Sequence, residues 1–304
     1  MSLSARVDPS APRVDPESIG RVVLAVAVSP GRLAAGLVGE HGETIVRDRV
    51  TTPSHEVWRT LEGLIRRVIA AAPDNLPRPT AVGVSCTGPV DTRAGAVSPH
   101  SVRTWTSFPL REHLETMTGL PVHLDSAAAA RAEGERWVGS ARDYDDFVML
   151  LVDETVESAC VQGGALLQGA HGNAGSIAHV LTDPEGLTCW CGARGCLSPY
   201  ASAVALEAEL NRPLRRATSS IVERTGIMLG RALGSLLALV DVPRVLFAGS
   251  VVDVFGDPLV HVIERELGHR DRARGLGQVD LVEVTGSVDR LIAAASLTHR
   301  PLDA

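Results

Sequence analysis

Apolar runs and amphipathic stretches alternate along the first half of the chain. The run at 22–28 is apolar throughout and the one at 80–84 largely so, which predicts strands buried on both faces. A Ser-Pro-Gly turn at 29–31 and a polar turn at 40–43 predict a second strand ending at Val38 and a third strand after it. Apolar residues at helical spacing predict helices at 57–72, 110–118 and 126–138, the last one after a short strand at 121–124.

The second half of the chain repeats this order of strands followed by helices. Strands are predicted at 147–152, 159–162, 244–247 and 279–283, and helices at 201–210, 220–240, 258–266 and 287–297. Two β-rich openings, each followed by helices, predict an α/β protein with two lobes. We expect a flexible tail at 1–20, an N-terminal lobe at 21–139 and a C-terminal lobe at 140–304 containing a loop region at 171–200. The last helix is a candidate to pack back on the N-terminal lobe.

Composition narrows the class of protein. The chain has 304 residues, of which 45% are hydrophobic, so a large core can form. The net charge of −7 argues against a nucleic-acid surface, because phosphate binding needs a basic patch. Residues 1–20 are polar and contain three prolines, without the apolar run of a signal peptide, and no stretch of the chain predicts a membrane helix. We therefore expect a cytoplasmic protein.

Three of the five cysteines lie close together, at Cys189, Cys191 and Cys196. This density in a reducing compartment favours metal ligation over a disulfide framework. Three thiolates on one loop, with His179 ten residues before the first of them, match the four tetrahedral donors that zinc prefers. Four protein ligands leave no position for water, so the predicted zinc is structural. Cys86 and Cys160 lie in apolar strands, and we expect both to be core residues.

The surrounding sequence resembles a known family. Gly172-Asn-Ala-Gly-Ser-Ile-Ala-His179, followed by Cys189-x-Cys191-Gly-x-x-Gly-Cys196, is similar to the signature of the ROK family of bacterial sugar kinases and sugar-responsive repressors. The segments at 83–91, 119–129, 229–234 and 245–250 also resemble family motifs. The resemblance implies the two-lobed, actin-like ATPase fold, which is ribonuclease H-like, with sugar and ATP bound between the lobes. It further implies a homodimer and a sugar-like small-molecule ligand.

The sequence departs from the family at its phosphate-binding loops. The first loop, D-x-G-G-T in the family, is replaced by Ala-Val-Ser-Pro-Gly at 27–31, which lacks the acidic residue and one backbone N–H. The second, G-T-G-x-G-G-G, is replaced at 153–159 by a glycine-free segment with three carboxylates, and the third clearly keeps only one glycine. Like charges close to a triphosphate cost on the order of a few kcal/mol each. We therefore predict that ATP and Mg²⁺ binding is lost. The altered loop positions are Ser29, Gly31, Asp153, Glu154, Thr155 and Gly249.

The sugar-binding positions implied by the resemblance are also changed. The family has Asn where this chain has His100 and Leu124, and Glu where it has Ser176 and Ser198. Only Asp125, at the position of the catalytic base, and His179, at that of the zinc and sugar histidine, are kept. Asp125 is therefore either a residual general base or the N-cap of the helix that follows it. We favour the cap, and the two roles are compatible.

Three functions remain open. The favoured one is a ROK-family protein that has lost ATP binding and phosphotransfer and acts as a binding or regulatory protein. The alternatives are an ATP-dependent kinase for glucose or an N-acetylhexosamine, and the effector domain of a ROK transcriptional repressor. The repressor needs an N-terminal helix-turn-helix, and the residues before the first strand show no helical pattern. We therefore expect neither membrane nor nucleic-acid partners, unless such a motif lies outside this sequence.

Overall fold

A computed structural model describes residues 20–274, 279–284, 286 and 288–301. The predicted tail, apart from Gly20, lies outside the described residues. The described part forms two compact units. Unit 1 contains the chain up to Asp143 together with 169–173 and the described residues from Gly286 onward, and unit 2 contains the segments between them. The division of the chain therefore falls between Asp143 and Tyr144, a few residues beyond the predicted 139–140.

The elements follow the predicted alternation of strands and helices. The strands are β1 (Val23–Val28), β2 (Arg32–Val38), β3 (Thr44–Thr51), β4 (Val82–Cys86), β5 (Val90–Asp91), β6 (Ala96–Val97), β7 (Val122–Ser126), β8 (Phe147–Val152), β9 (Val156–Gln162), β10 (Ala165–Leu166), β11 (Arg244–Ala248) and β12 (Asp280–Glu283). The helices are α1 (Val57–Ala70), α2 (Leu110–Thr118), α3 (Ala127–Trp137), α4 (Ser198–Ala201), α5 (Ala203–Leu210), α6 (Ser219–Val240), α7 (Ser250–Arg274) and α8 (Arg290–Ser296). Among the described residues, none of the helices combines the length and the apolar character needed to cross a bilayer.

Unit 1 is a five-stranded sheet with helices on both faces. The strand order is β3-β2-β1-β4-β7, in which β1, β4 and β7 run parallel, β2 pairs antiparallel with β1, and β3 pairs antiparallel with β2. Because side chains alternate along a strand, Leu24 and Val26 of β1 face α1 and α2, and Ala25 faces α8. The parallel strands end at one edge of the sheet, which carries Ser29 after β1 and Asp125 in β7.

Unit 2 repeats the arrangement with different helices. Its sheet has the order β10-β9-β8-β11-β12, with β8, β11 and β12 parallel. The buried residues of β8, β9 and β11 pack in one core with those of α4, α6 and α7. The metal-ligand candidates lie in the loop region that connects β10 to α4.

Two helix predictions in unit 2 were wrong in their bounds. The predicted helix at 201–210 is divided into α4 and α5, because Ser202 adopts an extended backbone and its side chain caps α5 by accepting from Ala205 N. The predicted helix at 258–266 is the later part of α7, which begins at Ser250 and leaves the helical region at Gly256 (φ 54°, ψ −148°). Pro258 follows this break and donates no backbone N–H.

The close approach of α8 to β4 allows a test of the packing in unit 1. A Cβ atom at Gly83 would lie 2.0 Å from the carbonyl oxygen of Ala294, so backbone would have to move. We expect Gly83→Ala to lower the free energy of unfolding by about 2 kcal/mol, measured by urea denaturation. Gly63→Ala in α1 is the matched control, because the nearest atom there is 3.9 Å away and alanine favours helix. Equal stability of the two variants would contradict this packing.

Candidate functional site

The structure brings together the four residues predicted to bind a metal. One ligand atom from each of His179, Cys189, Cys191 and Cys196 lies within 4.8 Å of the others. His179 Nδ1 is 3.5 Å from Cys189 Sγ, and Cys191 Sγ is 3.7 Å from Cys196 Sγ. Zinc–sulfur bonds of about 2.3 Å at tetrahedral angles place two sulfur atoms about 3.8 Å apart. The spacing and the chemistry of the donors therefore fit a zinc ion.

The loop that carries the three cysteines is folded by its own backbone. Cys189 N donates to Ala193 O at 2.8 Å, and Gly192 N donates to Cys189 O at 3.0 Å. Gly192 and Gly195 have φ values of 92° and 75°, which lie in the left-handed region that favours glycine. The two glycines thus allow the chain to reverse direction within eight residues, which brings Cys196 close to Cys189.

The surroundings of the four metal-ligand candidates shift their pKa values in different directions. Burial raises the pKa of the Cys196 thiol to about 12 and also raises the pKa of the Cys189 thiol. The backbone N–H of Ala193 lowers the pKa of Cys191, which is exposed. Burial lowers the pKa of His179, which favours the neutral imidazole that binds metals. Cys189 and Cys196 therefore need a nearby cation to lose their protons, and the deprotonated thiolate is the form of cysteine that binds a metal.

The other two cysteines lie outside this cluster. Cys86 in β4 and Cys160 in β9 are 0% and 1% exposed, which confirms the prediction that they are core residues. Burial raises the pKa of Cys160 to about 11, so its thiol stays protonated. Neither residue belongs to the group of metal-ligand candidates found among the described residues.

In unit 2, the sugar-site positions near the metal candidates differ in exposure. Ser176 is exposed, and Ser198 is buried at the start of α4, where its N–H donates to Ala178 O at 2.9 Å. A serine hydroxyl at either position reaches less far than a glutamate carboxylate and carries no charge. Ser176 and Ser198 therefore lack the charged acceptor that the family resemblance implies at these positions.

In unit 1, the sugar-site positions are His100, Leu124 and Asp125. His100 is exposed in a loop, and Leu124 is 5% exposed and packs in the core with α1 and α2. A leucine directed into the core offers no polar group to a ligand. Leu124 is thus a packing residue in this chain, and the structure assigns it no role in binding.

Asp125 is not a helix cap, so the favoured prediction was wrong. β7 continues through Ser126, which pairs with Cys86, and Ser126 is the residue that caps α3 by accepting from Ala129 N at 3.2 Å. The side chain of Asp125 is 2% exposed, and its Oδ2 accepts from Arg300 Nη1 at 2.7 Å. Its Oδ1 accepts from Ser126 N at 2.7 Å. Asp125 is therefore a buried carboxylate whose charge is already paired.

Arg300 also approaches a second acidic residue. Its Nε lies 4.0 Å from Glu133 Oε1, and Arg136 Nη1 lies 3.2 Å from Glu133 Oε2. Burial raises the pKa of Glu133, while the charges of Arg136 and Arg300 lower it. Arg300 follows Asp125 by 175 residues, and no local motif connects the two, so sequence reasoning missed this contact.

In unit 1, the altered first phosphate loop is closed by internal hydrogen bonds. Ser29 N and Ser29 Oγ donate to Arg32 O at 3.0 and 3.1 Å, and Thr52 N donates to Gly31 O at 3.3 Å. Arg290 Nη1 donates to Ser29 Oγ at 2.6 Å. The hydroxyl and the N–H of Ser29 and the carbonyl of Gly31 are thus engaged by the protein itself.

The second and third loops bind each other in unit 2. Ser250 Oγ donates to Asp153 Oδ1 at 2.6 Å, and the backbone N–H of Asp153 donates to Thr155 O at 2.9 Å. Gly249 lies so close that a Cβ atom on it would be 2.4 Å from Val152 O. Thr155 Oγ1 donates to Glu157 Oε1 at 3.1 Å. Glu154 beside them is half-buried. Carboxylates and their partners therefore hold the positions where the family resemblance implies open, glycine-rich loops.

Unit 2 also contains a cavity that the sequence did not indicate. Its volume is about 290 Å³, and it lies between the segment 214–223 and α7. Most of its lining is apolar, with Arg215, Ser219 and Glu223 as the polar side chains. An apolar wall suits an apolar or aromatic group better than a sugar, whose hydroxyls need hydrogen-bond partners.

The Asp125–Arg300 pair makes a quantitative prediction. Arg300→Met replaces only the unbranched stem of the side chain and leaves a buried carboxylate without its counter-charge, so we expect it to lower the free energy of unfolding by about 3 kcal/mol. Arg66→Met is the control, because Arg66 and Glu62 form an exposed pair on α1 and its loss costs about 0.5 kcal/mol or less. Urea denaturation measures both variants. A similar small effect in both would mean that the ion pair with Asp125 does not form.

Comparison with known proteins identifies the family. A model of the ROK family matches residues 23–270. The N-acetylmannosamine kinase of Shigella flexneri is 30% identical over 247 residues, and the match covers 75% of this chain and 83% of that protein. The crystal structure of a ROK hexokinase from Thermus thermophilus has a TM-score of 0.76 at 25% identity, covering 91% of this chain and 97% of the other. A ROK family transcriptional regulator, a homologue of the Escherichia coli MLC protein, has a TM-score of 0.78 at 22% identity, covering 91% and 77%. This chain therefore belongs to the ROK family.

Proposed function

We propose that this ROK-family protein has lost ATP binding and phosphotransfer and acts as a binding or regulatory protein. The observation that carries the proposal is the ion pair between Asp125 and Arg300 at 2.7 Å. A general base must offer a free lone pair to the hydroxyl proton that it accepts. The Arg300 guanidinium donates to Asp125 Oδ2 and the N–H of Ser126 donates to Asp125 Oδ1, so a sugar hydroxyl would have to compete with both for the carboxylate.

The phosphate loops support the same proposal. Phosphoryl transfer depends on backbone N–H groups and Mg²⁺ that surround the phosphates. In this chain the N–H of Asp153 donates to Thr155 O, and the carboxylate of Asp153 accepts from Ser250. A triphosphate would have to break these contacts and lie beside carboxylates, each of which repels it by on the order of a few kcal/mol at low effective dielectric.

Calorimetry and a coupled kinase assay test the loss of activity together. We expect no saturable heat when MgATP is titrated into the protein to millimolar concentration. We also expect no turnover above background with glucose, N-acetylglucosamine or N-acetylmannosamine as acceptor. Asp125→Asn is the matched variant, because it keeps the shape of the side chain and removes its basicity. Turnover that disappears in Asp125→Asn would overturn the proposal.

An ATP-dependent sugar kinase is the second candidate. The 30% identity to an N-acetylmannosamine kinase over 75% of the chain favours it, and so does the presence of an aspartate at position 125. N-acetylmannosamine is accordingly the first acceptor to try in the coupled assay. The likeness in fold to a ROK transcriptional regulator keeps the effector domain of a repressor as a third candidate. The homodimer expected from the resemblance stays a prediction.

We also propose that His179, Cys189, Cys191 and Cys196 hold one structural zinc ion. The sulfur–sulfur distance of 3.7 Å and the mixture of thiol and imidazole donors support this assignment. A zinc ion with four protein ligands has no open position for water, so it would stabilise the loop and supply no reaction chemistry.

Metal analysis tests the zinc proposal. We expect one zinc ion per chain in the protein purified without added chelator, measured by inductively coupled plasma mass spectrometry. Cys196→Ser should lose the ion, because a buried serine hydroxyl is a poor zinc ligand. Cys86→Ala, which removes a buried thiol in unit 1, should keep it. A full zinc content in Cys196→Ser would contradict this set of ligands.

A further inference from the structure

The hydroxyl of Tyr200 lies in a hydrogen-bond network beside the metal-ligand loop. Tyr200 belongs to α4 and is 4% exposed. Its oxygen accepts from Leu187 N at 2.7 Å and donates to Asp183 Oδ2 at 3.1 Å. Gly186 N closes the same turn by donating to Asp183 O at 3.0 Å. One hydroxyl thus holds both ends of the turn at 183–187.

This turn is joined directly to the metal ligands. Leu187 O accepts from Gly195 N at 2.8 Å, and Gly195 O accepts from Thr182 N at 2.8 Å and from Thr182 Oγ1 at 3.1 Å. Leu187 precedes Cys189 by two residues, and Gly195 is adjacent to Cys196. A displacement of Leu187 would therefore move two of the three sulfur donors.

Helix α6 holds Tyr200 from the other side. Thr225 Oγ1 donates to Tyr200 O at 3.0 Å, and the Arg224 guanidinium lies 5.6 Å from the centre of the Tyr200 ring. Arg231 Nη1 reaches the loop itself and donates to Thr182 O at 3.1 Å. The ring of Tyr200 is therefore fixed by a long helix, and its hydroxyl has a defined position.

Beside the hydroxyl there is no room for a side chain at position 186. A Cβ atom at Gly186 would lie 2.0 Å from Tyr200 Oη and 2.7 Å from Asp183 Oδ2. Burial raises the pKa of Tyr200, so the hydroxyl keeps the proton that it donates to Asp183. Only glycine at 186 leaves room for the two hydrogen bonds that Tyr200 makes to the turn.

We propose that Tyr200 is a positioning residue of the metal centre, which acts through Leu187 and Asp183 to hold the cysteine loop in the geometry that binds the ion. This inference rests on the proposed zinc site. Residues that orient metal ligands without touching the metal contribute about 10- to 100-fold to metal affinity. Tyr200→Phe keeps the ring and removes only the oxygen, so it leaves Leu187 N–H and the Asp183 carboxylate without this partner.

The experiment compares zinc affinity and release in the full chain. Zinc-loaded wild type, Tyr200→Phe and Tyr144→Phe are mixed with a chromogenic chelator at a temperature well below unfolding. Tyr144 is the matched control, because it is the other tyrosine of the chain and stacks on Arg244 at 3.9 Å, away from the loop. We expect Tyr200→Phe to bind zinc about 10-fold more weakly and Tyr144→Phe to match the wild type.

Cobalt substitution adds a measurement, the absorption spectrum of the bound ion, that a general loss of stability would not change. We expect the visible d–d bands of bound Co²⁺ to shift in Tyr200→Phe and to stay unchanged in Tyr144→Phe. Should Tyr200→Phe fail to fold, Gly186→Ala applies the same test, because its methyl group displaces the hydroxyl while the tyrosine remains.

The outcomes separate this inference from the zinc proposal. If the wild type binds neither zinc nor cobalt, the metal site is wrong and the role of Tyr200 fails with it. If the wild type binds zinc, and the folded variants Tyr200→Phe and Gly186→Ala show its affinity and its cobalt spectrum, only the role of Tyr200 is overturned.

Discussion

A carboxylate excluded from water needs a partner for its charge, and in unit 1 Asp125 has one in Arg300. The pair joins β7 to the residue that follows the last helical turn of the described chain. A buried charge that is already paired gains little from a new hydrogen bond and loses much if the old one breaks. Two other positions also have hydrogen-bond partners inside the protein: Ser29 accepts from Arg290, and Asp153 accepts from Ser250. Asp125, Ser29 and Asp153 are thus all bound by side chains of the protein itself.

The metal-ligand candidates differ from these paired residues, because no cationic side chain is among their described neighbours in the cluster. Cys189 and Cys196 are buried, and burial raises the pKa of both thiols. Cys189 Sγ lies 3.5 Å from His179 Nδ1, and Cys196 Sγ lies 3.7 Å from Cys191 Sγ. Such a group gains stability from a cation, because the cation supplies the charge that the thiolates need. The four residues that we propose to hold a structural zinc ion thus lie together, while several residues at the positions that the family resemblance assigns to substrate differ from those of the family.

Local sequence patterns predicted those features of the structure that depend on residues close together in the chain. The bounds of α2 and β8 were predicted to the residue, since a glycine ends the one and polar residues flank the other. The cysteine spacing predicted for the same reason that the four metal-ligand candidates lie together. The cap of α3 was placed one residue early, because the pairing of Ser126 with Cys86 extends β7. The sequence could not predict the contacts made by Arg300, Arg290 and Ser250. Each of these residues is far along the chain from its partner, and no sequence motif connects the two.

The most direct test of the account is a crystal structure of the zinc-loaded protein grown with Mg²⁺ and a non-hydrolysable ATP analogue. We predict that the hydrogen bond between Ser250 and Asp153 and the ion pair between Arg300 and Asp125 both persist, with no nucleotide phosphates bound to unit 2. Phosphates bound by the backbone N–H groups of 153–159, with Asp153 turned away from Ser250, would contradict it.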